Sequence, residues 1–272
     1  MPSPFFEKVA SAVEAAIHDA ETELPADVIS VLQSAYDAET SPVARGEYEN
    51  IFANLKIAKE RDVPICQDTG LIVLYITLPP EIPYSAELFE AAEEGVRRAT
   101  VSVPLRPNAV DAVSRKNSGN NCGAGMPAIH IRPGEKFTVT VLPKGAGSEN
   151  MSQIKMMLPS DVEKIPEFVA EVAAVAGSRP CPPIIVGVGI GGTFDTAPAL
   201  AKEALLEPVD TMDSFEQEIC DRINALGIGP MGLGGKTTAL AVKVKRGACH
   251  TASLPVAVNI QCWCCRRRTV EL

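Results

Sequence analysis

The first quarter of the chain carries the hydrophobic pattern of amphipathic helices. Apolar residues recur three and four positions apart in the segments 3–21, 25–39 and 41–62, which is the spacing that lines one face of an α-helix. Ser41 followed by Pro42 is a typical start for the third helix, because serine caps a helix and proline suits its first position. The sequence therefore predicts a helical N-terminal region.

The rest of the chain alternates between strand and helix patterns. The predicted strands lie near 71–78, 127–133, 136–143, 182–188 and 238–246, and again at the C-terminal end. The predicted helices lie near 85–100, 160–176, 194–206 and 212–226. The fold class predicted from this order is α+β, a helical N-terminal region followed by mixed β-sheet elements with helices. No repeat, low-complexity tract or linker interrupts the pattern, so we expect a single domain over residues 1–272.

Four loops between these elements are rich in glycine, with amide and hydroxyl side chains between the glycines. They are residues 114–127, 143–152, 187–193 and 227–238. Glycine allows positive φ and lets backbone N–H groups come close to a ligand, so such loops can bind small anions. For each loop taken alone, a simple turn is the alternative.

Two of these loops resemble nucleotide-binding motifs, and both resemblances fail on context. "GVGIGG" (187–192) fits the dinucleotide pattern, but a second helix follows where that motif needs a parallel strand ending in an acid. "PMGLGGKT" has Pro230 at the first glycine of a P-loop, and a helix precedes it while a strand follows, which is the reverse of the P-loop order. Binding of a small anion remains open.

Composition and charge narrow the class of protein. With 46% hydrophobic residues and a net charge of −9, the chain can bury a core but lacks the basic surface that nucleic-acid binding needs. No apolar run reaches the roughly 20 residues of a membrane span, and acidic residues interrupt the N-terminal segment where a signal peptide would be apolar. We therefore expect a cytoplasmic protein with no nucleic-acid or membrane partner.

The eight cysteines are candidates for chemistry, because a cytoplasmic chain of this size rarely uses them as a disulfide framework. Cys66 lies just before the strand at 71–78, Cys181 at the entry of the strand at 182–188, and Cys262 at the exit of a C-terminal strand. Thiols so far apart in sequence cannot form a local zinc knuckle, but they can converge in space. For any single cysteine, burial in the core is the alternative.

A zinc site is a second possibility for the cysteines. Cys264 and Cys265 of "CWCC" would be joined by Cys249 and His250. Adjacent cysteines cannot easily both bind one tetrahedral ion, so the pattern disfavours zinc.

Six motifs follow one another in order along nearly the whole chain. They are "ICQDTG", "KNSGNN", "PKGAGSENMS", "CPPIIVGVGIGGT", "GIGPMGLGGKTTALAVKV" and "CHTASLPVAVNIQC". Together they resemble the catalytic α subunit of the class I, iron–sulfur fumarate hydratases and their L-tartrate dehydratase relatives. The resemblance implies a [4Fe–4S] cluster held by Cys66, Cys181 and Cys262, with the glycine-rich loops around it. Cys264 and Cys265 depart from the family's usual C-terminal sequence.

The resemblance implies that such a cluster serves catalysis rather than electron transfer. Three cysteines leave one iron with an open position, where it can act as a Lewis acid toward the hydroxyl and a carboxylate of a 2-hydroxy diacid. Gln67 and Asp68, next to Cys66, correspond to residues that contact the substrate, and Asp68 is the candidate for handling the hydroxyl proton. The alternative for Asp68 is a structural role as the cap of a turn.

Three further residues correspond to functional positions of the family. Arg106 matches a substrate-binding arginine, whose guanidinium fork suits a carboxylate, and Gly145 matches a backbone contact with the substrate. His250 matches a histidine near the site and is a candidate catalytic residue that could tune protonation. His18 and His130 lie within predicted elements and are expected to be structural.

The resemblance also implies a partner. Single-chain members of the family carry a second, swivelling domain that adds arginine, lysine and threonine side chains to the active site. The present sequence stops at Leu272, shortly after the last cysteine, so we expect that domain to be absent here and supplied by a separate β subunit. We expect an α2β2 hetero-oligomer in which the β subunit carries the base for the C3 proton.

The implied activity is the reversible hydration of fumarate to L-malate, a step of the tricarboxylic acid cycle. The alternative within the class is an L(+)-tartrate dehydratase, which forms oxaloacetate. "KGAGSEN" and "GLGGKTT" favour the fumarase branch, whereas "CW" followed by "RRR" resembles the tartrate branch. In a different class, a cluster-carrying redox or iron-sensing protein would use the same thiols without needing Asp68 or Arg106.

Overall fold

The computed structural model describes residues 2–272 and shows a mixed α+β fold. Its α-helices are α1 (Pro4–Thr22), α2 (Ala26–Ala38), α3 (Pro42–Arg61), α4 (Ala86–Ser102), α5 (Ala146–Glu149), α6 (Ile165–Ala176), α7 (Thr196–Ala204) and α8 (Ser214–Asn224). Its strands are β1 (Leu71–Leu78), β2 (Ala128–Pro133), β3 (Thr138–Lys144), β4 (Gln153–Met157), β5 (Ile184–Gly192), β6 (Ala239–Cys249), β7 (Leu254–Gln261) and β8 (Arg268–Glu271). The predicted fold class, with its helical N-terminal region, is confirmed.

Helix α1 shows why the N-terminal pattern predicts structure correctly. Ser3 caps the helix, since its Oγ accepts a hydrogen bond from the Phe6 N–H at 3.0 Å. Val9, Val13 and Ile17 then bury one face at intervals of four residues.

No helix within residues 2–272 combines the length and the apolar character that crossing a membrane requires.

The described chain divides into two compact units. The first comprises residues 2–25, 54–146 and 266–272, and the second comprises residues 26–53 and 147–265. Each unit has its own four-stranded sheet and its own apolar core. A single catalytic domain over residues 1–272 stays a prediction.

Strand β1 lies inside the sheet of the first unit, whose order is β2-β1-β3-β8. It runs parallel to β2 and antiparallel to β3, with Leu71 opposite Lys144. Apolar side chains of α1 and α4 form the core with the sheet, among them Val13, Leu74 and Leu88. Because Leu71 starts β1 and Lys144 ends β3, the residues just before β1 lie beside those just after β3.

Strand β5 lies inside the sheet of the second unit, whose order is β4-β7-β5-β6. It runs parallel to β6 and antiparallel to β7, with Ile185 opposite Gln261. All eight residues of β7 are buried, and apolar residues of α6 and α8 complete the core. The segment that precedes β5 and the segment that follows β7 therefore share one end of this sheet.

The helix predicted near 160–176 is divided in two. Pro159–Lys164 forms a 3₁₀ helix and α6 begins at Ile165, because Pro166 has no N–H to continue an α-helical ladder from the preceding turn. The sequence pattern also missed α5 and β4. These elements have four and five residues, which is too short for hydrophobic periodicity to show.

The glycine-rich stretch 187–193, predicted as a loop, is mostly strand and belongs to β5. A Cβ on Gly187 or Gly189 would collide with the backbone carbonyls of Ala201 and Ala197 in α7. The glycines therefore let α7 pack closely on the sheet. This packing role agrees with the rejection of a dinucleotide-binding turn.

Candidate active site

The segment around Cys66 is held from within the first unit. The Ile65 N–H donates to the Glu21 carbonyl at 2.8 Å, and Asn54 Nδ2 donates to the Ile65 carbonyl at 2.9 Å. Cys66 is half-buried and Gln67 is exposed. The backbone is thus anchored just before the two residues that the sequence selects for ligand and substrate contacts.

Asp68 uses both carboxylate oxygens. Its Oδ1 accepts from the Gly70 N–H at 3.0 Å, and its Oδ2 accepts from the Ala146 N–H at 2.8 Å. The first bond is the turn-cap contact that the sequence left open as a structural role. The second joins Asp68 to the residues just after β3, so Gly145 lies against the same carboxylate: a Cβ on Gly145 would be 3.0 Å from Oδ2.

Gly70 makes this close approach possible. Its φ is +73°, and a Cβ at this position would lie 2.7–2.8 Å from backbone atoms of Lys144. We expect Gly70→Ala to lower the free energy of unfolding by roughly 2–5 kcal/mol, the left-handed backbone and the displaced strand each contributing. Urea denaturation measures this change.

Gly119→Ala is the matched control for Gly70→Ala. Gly119 has a similar φ of +80°, but a Cβ there would meet nothing within 4 Å. In this variant the free energy of unfolding should fall only by the cost of the left-handed backbone conformation, roughly 1–2 kcal/mol. Equal losses in the two variants would show that the contact with Lys144 contributes nothing.

Arg106 is anchored by its backbone beside the Asp68 segment. Its N–H donates to Thr69 Oγ1 at 3.1 Å, and its carbonyl accepts from Asn121 Nδ2 at 3.0 Å. Asn121 is 2% exposed and its Oδ1 accepts from the Asn108 N–H at 2.6 Å. The Arg106 side chain itself is exposed. The first unit thus brings Cys66, Gln67, Asp68, Arg106 and Gly145 together, and Asn121 explains the last residue of the "KNSGNN" motif.

Asp68 is also held through its backbone by a buried pair that the sequence did not select, Glu21 and Arg266. Arg266 Nη1 lies 2.5 Å from Glu21 Oε2, and Nη2 donates to the Asp68 carbonyl at 2.9 Å. Arg266 is 1% exposed and Glu21 0%. Burial raises the pKa of Glu21 to about 7, against the opposing effect of the Arg266 guanidinium. The one sequence signal was the position of Glu21, four residues after Ile17 on the buried face of α1.

Cys181 and Cys262 lie at the same end of the second unit's sheet. Cys181 precedes β5 and Cys262 follows β7, and the Trp263 N–H contacts the Cys181 carbonyl at 3.4 Å. Cys181 is exposed and Cys262 is half-buried. Cys181 also has a φ of +53°, an unfavourable backbone conformation for a residue with a side chain and one that is common at functional sites.

Buried polar groups shape the turn that carries Cys262. Gln261 is 0% exposed, its Oε1 accepts from Ser148 Oγ at 3.3 Å, and its Nε2 donates to the Cys264 carbonyl at 3.4 Å. A buried amide with both ends hydrogen-bonded fixes the chain around it. The serine of "GSEN" and the glutamine of "NIQC" therefore stabilise the turn that follows Cys262.

Other cysteines are set apart by burial. Burial raises the pKa of Cys122 to about 11 and that of Cys220 to about 12, which suppresses the thiolate that metal binding needs. Cys264 and Cys265 are 1% and 0% exposed. Within residues 2–272, no three or more His, Cys, Asp or Glu side chains are grouped so as to hold a metal ion, and the ligand set of the sequence stays a prediction.

The structure does not bring His250 together with Cys181 and Cys262. His250 follows β6, which runs parallel to β5 and pairs with it along its length, so that Cys249 lies opposite Gly192 at the far end of β5. Since β5 has nine residues, the two ends of the sheet are roughly 26 Å apart at the usual strand rise. His250 Nδ1 accepts from the Ala252 N–H at 3.1 Å, so a neutral ring carries its proton on Nε2.

Comparisons with known proteins agree with the motif pattern. The family model described as Fumarate hydratase (Fumerase) matches residues 10–271. A protein of Methanocaldococcus jannaschii with the provisional name L(+)-tartrate dehydratase subunit alpha is 45% identical over 273 residues, 96% of each chain. L(+)-tartrate dehydratase subunit alpha of Escherichia coli (strain K12) is 33% identical over 259 residues, 92% of this chain and 86% of that protein. The chain therefore belongs to the family of class I fumarate hydratase and L(+)-tartrate dehydratase α subunits.

Proposed function

We propose that the chain is the α subunit of a two-subunit hydro-lyase that reversibly dehydrates a 2-hydroxy dicarboxylate. The observation that carries the proposal is the arrangement of Asp68, Gly145 and Arg106 beside Cys66 in the first unit. A carboxylate, a side-chain-free backbone and an exposed guanidinium are the groups that a hydroxy diacid needs. Family membership supports the same reaction class.

The proposed cofactor is a [4Fe–4S] cluster held by the thiolates of Cys66, Cys181 and Cys262. The donor set fits chemically, because these three thiols are exposed or half-buried near strand ends, as Cys249 also is, while Cys122 and Cys220 are buried in the cores. When bound, the cluster would supply a Lewis-acidic iron with one open position for the substrate's hydroxyl and carboxylate.

The chain's own side chains would do the rest of the chemistry on this subunit. The exposed Arg106 guanidinium would bind a substrate carboxylate through its fork. Asp68, held in place by the N–H groups of Gly70 and Ala146, would carry the proton of the substrate hydroxyl. Gln67 would donate its amide to a substrate oxygen, and Gly145 would leave room for the substrate at the backbone. His250 stays in the proposal as a candidate catalytic residue that would tune protonation.

A β subunit would complete the site. The relatives are named as alpha subunits, which supports a separately encoded partner for this chain, and we propose an α2β2 assembly. The base that removes the C3 proton and further carboxylate-binding groups would lie on that partner.

Two substrates remain in the proposal, each with its own support. The glycine-loop sequences "KGAGSEN" and "GLGGKTT" favour fumarate and L-malate, whereas the names of the relatives favour L(+)-tartrate. Comparison of kcat/KM for L-malate and L(+)-tartrate, measured on the anaerobically reconstituted α and β subunits together, decides between them.

The proposal predicts a strong dependence on the partner. We expect the α chain alone to take up iron and sulfide but to show little turnover and to lose activity rapidly in air, because an iron that substrate can reach is also open to oxidants. Adding the β chain anaerobically should restore dehydration of one of the two diacids. Full, air-stable activity of the α chain alone would contradict both the open iron and the need for a partner. Reversible one-electron reduction without turnover would instead favour a redox or iron-sensing protein.

A further inference from the structure

We propose that Arg266 is a positioning residue for the Cys66–Asp68 segment. Anchored on Glu21, it fixes the backbone at Asp68 and so sets where the Asp68 carboxylate and the neighbouring Cys66 thiol are presented. What those two groups do rests on the proposed function; the anchoring itself rests on contacts within the first unit.

The contacts show a single arginine joining two elements that are far apart in sequence. Nη1 of Arg266 lies 2.5 Å from Glu21 Oε2 and Nη2 is 2.9 Å from the Asp68 carbonyl, so one guanidinium serves a helix and the segment before β1 at once. Both charged side chains are withdrawn from water, at 1% and 0% exposure. A buried ion pair gains little net stability over an apolar pair of the same size. The Glu21–Arg266 pair is therefore better explained by its effect on the position of the Asp68 backbone than by a gain in stability.

Glu21 holds both ends of the segment. Its carbonyl accepts from the Ile65 N–H at 2.8 Å, and its carboxylate holds the arginine that binds the Asp68 carbonyl. Cys66 and Gln67 are the two residues between these fixed points. The segment is thereby bracketed immediately before and after the proposed ligand and substrate contacts.

The contact geometry requires a fork. A guanidinium presents Nη1 and Nη2 as separate donors in one plane, and each has a different partner here. A lysine ammonium keeps the charge, but its single nitrogen on a flexible chain cannot occupy the two Nη positions at once. Arg266→Lys therefore tests position rather than charge.

The experiment compares Arg266→Lys with Arg268→Lys in the full-length α chain. Arg268 is in the same C-terminal stretch, but it is 56% exposed and pairs with Asp19 at 3.0 Å on the surface, which makes it the matched control. In the cluster-free chain, amide hydrogen exchange is resolved at Gly70 and Ala146, whose N–H groups bind the Asp68 carboxylate. The rate at which iodoacetamide modifies Cys66 is followed by mass spectrometry.

Arg266→Lys should accelerate exchange at Gly70 and Ala146 on the order of tenfold and speed the modification of Cys66, because loss of the anchor opens the segment. In the reconstituted complex with the β chain, kcat should fall roughly 10- to 100-fold with little change in KM, as expected for a misplaced group that acts in the transition state. Arg268→Lys should match the wild type in every measurement.

Unchanged exchange at Gly70 and Ala146 in folded Arg266→Lys would overturn the proposal, and so would unchanged kcat in an active complex. Should Arg266→Lys fail to fold, Glu21→Asp replaces it: the side chain stays a carboxyl group but is one methylene shorter, and the same two amides should exchange faster. Wild-type exchange in Glu21→Asp would equally overturn the anchor. If exchange is faster in Arg266→Lys but the wild-type complex with the β chain has no hydro-lyase activity, the anchor is supported and the proposed function is refuted. The two failures are therefore distinguishable.

Discussion

Serine in place of Cys66, Cys181 or Cys262 is expected to abolish the absorbance of the iron–sulfur cluster after anaerobic reconstitution, and with it hydro-lyase turnover. Each variant exchanges a thiolate for a hydroxyl that does not ionise near neutral pH, and a cluster with three thiolate ligands has none in excess. Iron and sulfide content, measured beside the visible spectrum, checks the result for each position separately.

Cys122→Ser and Cys220→Ser are the controls for the ligand variants. Both thiols are buried, and burial raises the pKa of each, so neither is expected to hold iron, and both variants should take up a normal cluster. Normal iron and sulfide in Cys262→Ser would remove that residue from the ligand set and make Cys264 the next candidate for the third position. Against Cys264 stands its 1% exposure.

Asp68→Asn is expected to keep the cluster and to lose on the order of 10²-fold or more in kcat, the usual contribution of a positioned acid or base. The substitution preserves the shape of the side chain but removes its ability to carry the proton of the substrate hydroxyl. Steady-state kinetics on the reconstituted α and β subunits, with cluster content measured on the same samples, checks this expectation.

The structure adds a condition to the test of Asp68. Both oxygens accept from backbone N–H groups, and an asparagine has one oxygen, so one bond to a charged group, worth roughly 1.5–3 kcal/mol, is lost as well. Asp213→Asn is the matched control: Asp213 caps α8 through one oxygen that binds the N–H groups of Phe215 and Glu216, and asparagine caps a helix equally well. This control should retain full turnover. Unchanged turnover in Asp68→Asn would restore the purely structural turn-cap role.

Local patterns predicted most of the elements and selected the candidate site residues. Hydrophobic spacing placed α1 and β1 correctly because one face of each is buried against its own unit's core. The motif "ICQDTG" placed Cys66, Gln67 and Asp68 before a strand, where the structure has them. Periodicity failed at "GVGIGG", since alternate glycines in β5 serve the packing of α7, a contact that no local pattern reports.

The placement of His250 shows how tertiary structure separates residues that are close in sequence. In sequence His250 lies only twelve positions before Cys262, as the numbering shows, and a motif treats the two as neighbours. Most of the residues between them form β7, and an extended strand separates its ends by about 3.3 Å per residue. His250 and Cys262 are therefore close in sequence but lie at opposite ends of the sheet.

By itself the sequence determined what depends on neighbouring residues: the helices and strands, the loops that carry the thiols, and the family to which the motifs belong. The tertiary structure alone decided which distant groups meet. Glu21 and Arg266 are 245 residues apart, and Arg266 stands in a run of three arginines that by pattern resembles a solvated surface. Their burial as a pair follows from the packing of α1 and the C-terminal segment within the first unit. Such pairing depends on contacts between residues that are far apart in sequence. Periodicity reports only local spacing and burial, so it cannot predict these contacts.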